Sequence, residues 1–297
     1  MDREKLIDFL DRHNLLRKHV KCDACGEVVQ VNKDTLLYRC NRRHTKRIGH
    51  KRKEVRCTFN KGARVGTWFG GSVLSLEQIL EITYIWATRN PLIKDIVHET
   101  GVSKATIIDW LSFCREVADD HCKKTVTILG GEGVIVEVDE AKFGRRKYNR
   151  GRLIEGQWVL GGIVRGTMDF FTLPVPDRSA ATLQPHIKEW VVEGTTIHTD
   201  CWRGYNHLAR HGYTHLTVNH SRGFVDPVTG CHTQNIERLW RDIRKELPRF
   251  GRIRDHFVGY LAEAHFKCMY PDRATCVHKF LQAIAELYPP KVYGPTP

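Results

Sequence analysis

Val134–Gly144 reads VIVEVDEAKFG, and its pattern decides the fold. Val134, Val136 and Val138 alternate with Ile135, Glu137 and Asp139, the period of a buried strand. Asp139 is expected as the last strand residue, projecting a carboxylate off the sheet before a basic loop at Arg145–Arg152. Two later segments look built to meet it. Thr196–Asp200 (TIHTD) is another short strand ending in an aspartate, and Thr233–Leu247 (TQNIERLWRDIRKEL) is an amphipathic helix. Its Ile236, Leu239, Trp240, Ile243 and Leu247 recur at helical spacing, while Glu237, Arg241 and Arg244 share a neighbouring face.

The segments between complete an order. Trp158–Val164 and Phe170–Val175 follow as two more strands, antiparallel because their connections are short. A helix starts at Asp177–Ser179 and runs through Val192; Trp202–His211 reads as a short helix and His215–Val218 as a fifth strand. This β-β-β-α-β-α-β-α order is that of the ribonuclease-H-like fold, an α/β domain with a mixed five-stranded sheet. In that fold the first strand, the fourth strand and the last helix converge, which places Asp139, Asp200 and Glu237 together. One acid at a strand end is more often a loop cap or a surface charge. Three at those points suit hard divalent cations, Mg²⁺ or Mn²⁺, which prefer carboxylate oxygen and leave room for substrate phosphate. Two such ions about 3.5–4 Å apart serve an in-line phosphoryl displacement.

Upstream, residues 1–20 form a charged helix with Leu6, Phe9 and Leu10 on one face. Residues 21–65 read as a zinc-ribbon-like DNA-binding region. Cys22 and Cys25 form a knuckle with Gly26 permitting the tight turn, and Cys40 and Cys57 supply two more thiolates for a closed tetrahedral zinc site. The fourth ligand stays open between Cys57, His44 and His50. Choosing Cys57 leaves the intervening basic segment as a looped-out insertion. Residues 72–125 carry a helix capped by Ser75 and then two more, Leu92–Thr100 and Lys104–Cys114, joined by Gly101-Val102-Ser103. This arrangement is like a helix-turn-helix whose last helix would offer Lys104 and Thr106 to a DNA groove, although small three-helix units of other purpose are common. The sheet domain is expected over 130–290, with Phe257–Met269 and Ala274–Leu287 as helices packed on it.

A net charge of +13 points to a polyanion partner, because each phosphate neutralised releases counterions. The excess is local: Tyr38–Arg64 holds eleven Lys or Arg and one acid, Glu54. No apolar run is long enough to span a membrane and no secretory signal opens the chain. Ten cysteines in such a chain read as thiols or metal ligands before disulfides.

The chain resembles the Merlin superfamily of cut-and-paste DDE transposases and their bacterial insertion-sequence relatives. The strings that carry the likeness are EVDEAKFGRRKYNRGR, HTDCWRGY and VNHSRGFVDPVTGCHTQNIERLW, with GTWFGGSVLSLEQIL, GVSKATIIDW and the cysteine set ahead of them. The resemblance implies a transposase that binds terminal inverted repeats and target DNA, acting as a homodimer or larger assembly. It implies a triad of Asp139, Asp200 and Glu237; in some bacterial relatives an asparagine holds the third position, which makes Asn235 the competitor. Arg145, Arg146, Lys147, Arg150, Arg152, Arg241 and Arg244 are then expected to steer the DNA backbone. The spacing from Cys40 to Cys57 is longer than the family's usual cysteine pair. A domesticated DNA-binding derivative without cleavage is the alternative, and a structure-selective nuclease on the same fold is a third. The compartment follows from the partner: the nucleus, or the cytoplasm if the source is bacterial.

Overall fold

The structure, a computed structural model, describes residues 2–144, 156–247 and 256–294. They divide into two compact units, one of residues up to Leu111 joined by those from Asp272 onward, the other of Ser112–Pro271.

In the first unit, helix α1 (Arg3–Arg12) buries Leu6, Ile7 and Leu10. Strands β1 (His19–Lys21) and β2 (Val28–Gln30) pair antiparallel across the Cys22–Cys25 knuckle, where Gly26 takes φ 73° and its N–H donates to the Cys22 carbonyl. Strand β3 (Leu37–Arg39) pairs with the later β6 (Asn60–Gly62), and the Cys40 N–H donates to the Phe59 carbonyl. Between them, β4 (Arg43–Ile48) and β5 (Lys51–Arg56) form a two-stranded antiparallel hairpin, so the insertion expected as a loop is regular structure.

Helix α2 (Leu76–Thr88) begins at a reciprocal cap, the Ser75 hydroxyl accepting from the Gln78 N–H while the Gln78 side chain accepts from the Ser75 N–H. Helix α3 (Ile93–Thr100) stops at Gly101, whose φ of 67° suits glycine. Helix α4 (Lys104–Thr125) runs well past the expected end at Cys114. Nothing in Arg115–Thr125 breaks a helix, and Val117, Ala118, His121 and Cys122 are buried there.

The second unit is built on one five-stranded sheet, with β7 (Ile135–Phe143), β8 (Gln157–Val164) and β9 (Phe170–Val175) antiparallel. Helix α5 (Ala180–Trp190) leads to β10 (Thr196–Asp200), parallel to β7, and then β11 (Thr214–Val218), parallel to β10. The spatial order is β11-β10-β7-β8-β9. Two-residue alternation sorts the β7 side chains. Val136 and Val138 join Leu183 and Ile187 of α5 in one core cluster. Ala141 and Phe143 join Trp240 and Ile243 of α6 (Gln234–Glu246) and Leu261 and Ala264 of α7 (Phe257–Met269) in another.

Two expectations need correcting in this unit. Strand β7 does not end at Asp139: Glu140 to Phe143 stay paired with Leu160 to Gln157, so Asp139 sits mid-strand opposite Gly161. Between β10 and β11 there are two short 3-10 turns, Arg203–Tyr205 and Leu208–His211, in place of one helix. Gly204, inside the first turn, lets the Trp202 ring approach the backbone, since a Cβ there would meet that ring at 2.9 Å.

Helix α8 (Arg273–Leu287) belongs to the first unit, although the sequence reading packed it on the sheet. Its apolar stripe fits α2: Phe280 lies 4.3 Å from Trp86 between ring centroids, and the Cys276 Sγ donates to the Ala87 carbonyl. Among the described residues no helix is long and apolar enough to cross a membrane.

Candidate active site and cysteine cluster

Asp139 projects from the face of β7 that α6 covers. The Trp240 Nε1–H donates to its Oδ2 at 2.9 Å. Gly161 permits this approach, because a Cβ there would lie 2.5 Å from the indole. Burial, followed by the charges of Glu140 and Asp200, pushes the Asp139 carboxyl up to about 7. Asp200, at the end of β10, accepts the Trp202 N–H at 2.8 Å. The two aspartates therefore lie within electrostatic reach of each other.

Glu237 stands in the first turn of α6, three residues before Trp240, with its side chain 46% exposed. Its Oε1 lies 3.4 Å from the Thr233 hydroxyl and 3.5 Å from His220 Nε2. Among the described residues, the carboxylates of Asp139, Asp200 and Glu237 do not form a set with all ligand atoms within 4.8 Å; four cysteines do.

Asn235, the competing third residue, is committed elsewhere. Its backbone N–H and its Nδ2 each donate to Glu137 at 2.8 Å, and the Ile236 N–H adds a third bond at 3.1 Å. Glu137 is fully buried on β7, two residues before Asp139 and on the same face. Arg165 donates to it from Nε and Nη2, and His232 Nδ1 lies 3.3 Å away. Burial and the Arg165 charge hold His198 below the usual imidazole range, so its neutral Nδ1 accepts from Arg165 Nη2 at 2.9 Å. A buried carboxylate with these donors binds the exposed N–H groups at the start of α6, where the helix dipole also favours an anion. Glu137 thus anchors to the Asp139 strand the helix that carries Trp240 and Glu237.

On the opposite face of β7, Glu140 accepts from the Tyr205 hydroxyl and lies 3.5 Å from Arg178. Burial comes first, then the Asp200 charge, among the causes that raise its carboxyl above the usual range. Arg178 stacks on Trp202 at 3.7 Å and on Trp158 at 5.1 Å. Sequence reasoning passed over Glu137, Glu140, Arg178 and Tyr205. Strand alternation was the available signal for Glu137, since it places that acid on the helix-covered face, where a charge must be paired.

Of the expected DNA-steering residues, Arg241 and Arg244 are exposed on α6, with Arg244 5.0 Å from the centroid of the Phe143 ring. Lys104 is exposed, and the half-buried Thr106 shares a hydroxyl hydrogen bond with Ser103 at 2.9 Å. Arg145, Arg146, Lys147, Arg150 and Arg152 lie outside the described residues.

In the first unit the sulfurs of Cys22, Cys25, Cys40 and Cys57 all fall within 4.8 Å of one another. The Cys25–Cys40 separation is 3.7 Å. A tetrahedron with Zn–S bonds of about 2.3 Å has edges of about 3.8 Å, so this set is one that could hold structural zinc. His44 stands just outside it, its Nδ1 3.2 Å from the Cys57 sulfur.

The Asp139 environment has a consequence for pH. Its folded pKa of about 7 lies above the ordinary 3.8, so in that window the folded chain holds a proton that the unfolded chain has lost. This contribution to stability is complete below about pH 4 and is lost as pH rises through about 7. Asp139→Asn is therefore expected to stabilise the metal-free protein progressively from pH 4 to 7, by about 1.4 kcal/mol per unit at most. Denaturant melts of both proteins across that range check it; a constant difference would refute it.

Residues 128–268 match the ISXO2-like transposase domain. The chain is also 31% identical over 98 residues to an uncharacterized transposase-like protein of Haemophilus influenzae (strain ATCC 51907 / DSM 11121 / KW20 / Rd), covering 33% of this chain and 78% of that protein. The chain belongs to the ISXO2-like transposases, in keeping with the insertion-sequence resemblance read from EVDEAKFG and HTQNIERLW. The matched residues take in Asp139, Asp200 and Glu237.

Proposed function

We propose that the protein is a DDE transposase that binds terminal inverted repeats and catalyses divalent-cation-dependent phosphodiester hydrolysis and strand transfer. The observation that carries this reading is the half-buried Asp139, its carboxyl raised by desolvation and by the Glu140 and Asp200 charges, roofed by a helix that bears a third acid. The sheet order β11-β10-β7-β8-β9 supports a ribonuclease-H-like domain, and the succession α2, α3, Gly101, α4 supports a helix-turn-helix.

The donor set fits Mg²⁺ or Mn²⁺, being all oxygen, with one carboxyl whose raised pKa a cation would lower. Asp139, Asp200 and Glu237 would hold the ions. When bound, they supply Lewis acidity to the attacking and leaving oxygens of an in-line displacement. The chain's own part is positioning. Trp240 fixes the Asp139 oxygen, the Trp202 N–H fixes Asp200, and Glu137 seats α6. Among the described residues Glu237 has only long contacts of 3.4 and 3.5 Å, so its side chain can turn toward the aspartates. Arg241 and Arg244, both exposed on α6, would meet DNA backbone.

The test is incubation of the purified chain with a duplex carrying the repeats that flank its gene. Mg²⁺-dependent nicking at the repeat ends, followed by joining to target DNA, supports the reading. Binding without nicking in Mg²⁺ or Mn²⁺ would make it a domesticated DNA-binding protein, and cutting without regard to the repeats would make it a nuclease.

Zinc, by the same reading, holds the ribbon folded. Chelation, or Cys57→Ser, is expected to release one zinc per chain, melt the segment around residues 21–65 and weaken DNA binding. Mg²⁺ affinity at Asp139 should barely change. Zinc analysis and Mg²⁺ titration check this, and loss of both properties together would contradict it.

A further inference from the structure

The hairpin between Cys40 and Cys57 divides its charge by face. Antiparallel register sets Arg43 opposite Arg56, Thr45 opposite Glu54, and Arg47 opposite Arg52 on one side. The other side carries His44 opposite Val55 and Lys46 opposite Lys53, with Lys51 following. All four arginines thus share one face and all three lysines the other. Every one of these seven side chains is exposed. Three like-charged pairs standing directly opposite weaken a ribbon in isolation, a cost that a polyanion partner would relieve. Glu54 offsets little of this, its contact with Arg43 being 3.4 Å and exposed.

The sorting by chemistry matters more than the total charge. Arginine presents a planar fork that bonds both acceptors on the edge of a guanine, whereas lysine is a point charge suited to phosphate. B-DNA's major groove is about 12 Å wide and admits a two-stranded ribbon. Arg43 and Arg47 are four residues apart, about 13 Å along a strand, or roughly four base-pair steps. The base of the ribbon is held at the cysteine cluster, where His44 meets Cys57.

Building on the reading of the partner as duplex DNA, we infer that the β4–β5 ribbon enters the major groove with Arg43, Arg47, Arg52 and Arg56 against the base edges. Lys46, Lys51 and Lys53 face away from the bases and supply attraction that is blind to sequence. The ribbon is therefore a sequence-reading element of the first unit, distinct from the α4 N-terminus.

The experiment uses the full chain and a pool of duplexes random over about 20 base pairs, selected for binding and sequenced. The wild-type chain should enrich a site with fixed guanines. Arg47→Lys with Arg52→Lys keeps the charge. It should bind unselected duplex within about twofold of wild type, lose at least tenfold on the wild-type site, and relax its guanine positions. Lys46→Gln with Lys53→Gln should weaken all sequences alike and lower the log–log salt slope by nearly 2. An unchanged enriched site and affinity for the arginine pair overturns the ribbon's role while leaving DNA binding intact. Failure of the wild-type chain to bind any duplex, or tighter binding to single strands or duplex RNA, overturns the inference by removing the partner it rests on.

Discussion

Asp139→Ala is expected to abolish Mg²⁺-dependent cleavage of repeat-bearing duplex, a loss of at least about a thousandfold, while leaving DNA affinity within a few-fold of wild type. The size follows from what the side chain does. It lies within electrostatic reach of Asp200, and on the proposed reading removing it takes away a cation ligand whose electrostatic contribution is worth several kcal/mol, at tenfold per 1.36 kcal/mol. Trp240 would lose its partner but keep its packing against Gly161, so the fold should persist. Single-turnover cleavage on saturating duplex, read beside a binding titration, checks the result. Full activity in Asp139→Ala would place the chemistry elsewhere.

Glu137→Gln is expected to cost about 3 kcal/mol of stability and to slow cleavage at saturating DNA without weakening DNA binding. The carboxylate gathers Arg165, the Asn235 side chain and two backbone N–H groups of α6 in a fully buried place. An amide would turn its own N–H₂ toward some of those donors and leave the Arg165 charge unpaired, a defect that in buried pairs costs about 3–5 kcal/mol. In a domain of this size that is a fall in Tm on the order of 10 °C. A merely structural defect would stop there. Because Glu137 seats the helix that bears Glu237 and Trp240, the variant should also need more Mn²⁺ for half-maximal cleavage, with KM for DNA unchanged. An unaltered Mn²⁺ requirement together with a lowered Tm would reduce Glu137 to a core residue.

Much of the sheet was legible because alternation and turn residues act locally. Val136 and Val138 announced a buried strand, and the apolar spacing of Ile236, Leu239, Trp240 and Ile243 announced α6. The overrun of β7 was not legible, since Glu140 and Lys142 look like loop residues until paired with Leu160 and Trp158. The hub at Glu137 was hidden for a related reason. Its partners come from two distant places in the chain, Arg165 just after β8 and His232, Asn235 and Ile236 at the start of α6, and nothing in the sequence ties the two together. Asn235 entered as a site residue through the family resemblance; only the fold shows its amide turned to Glu137. The basic hairpin was read as a looped-out insertion between Cys40 and Cys57, since its run of cations carries no apolar alternation that would announce paired strands.

Helix α8 has an outcome for how the molecule is made. Its packing on α2 means that the unit bearing the cysteine cluster draws on both ends of the chain, while Ser112–Pro271 is contiguous. During synthesis the sheet can be finished on the ribosome before the last helix has emerged, and Trp86 waits uncovered until then. A nonsense codon just after Pro271 would therefore leave the sheet unit whole and strip the other of its final wall, so the product would be a sheet attached to an exposed, sticky nascent half.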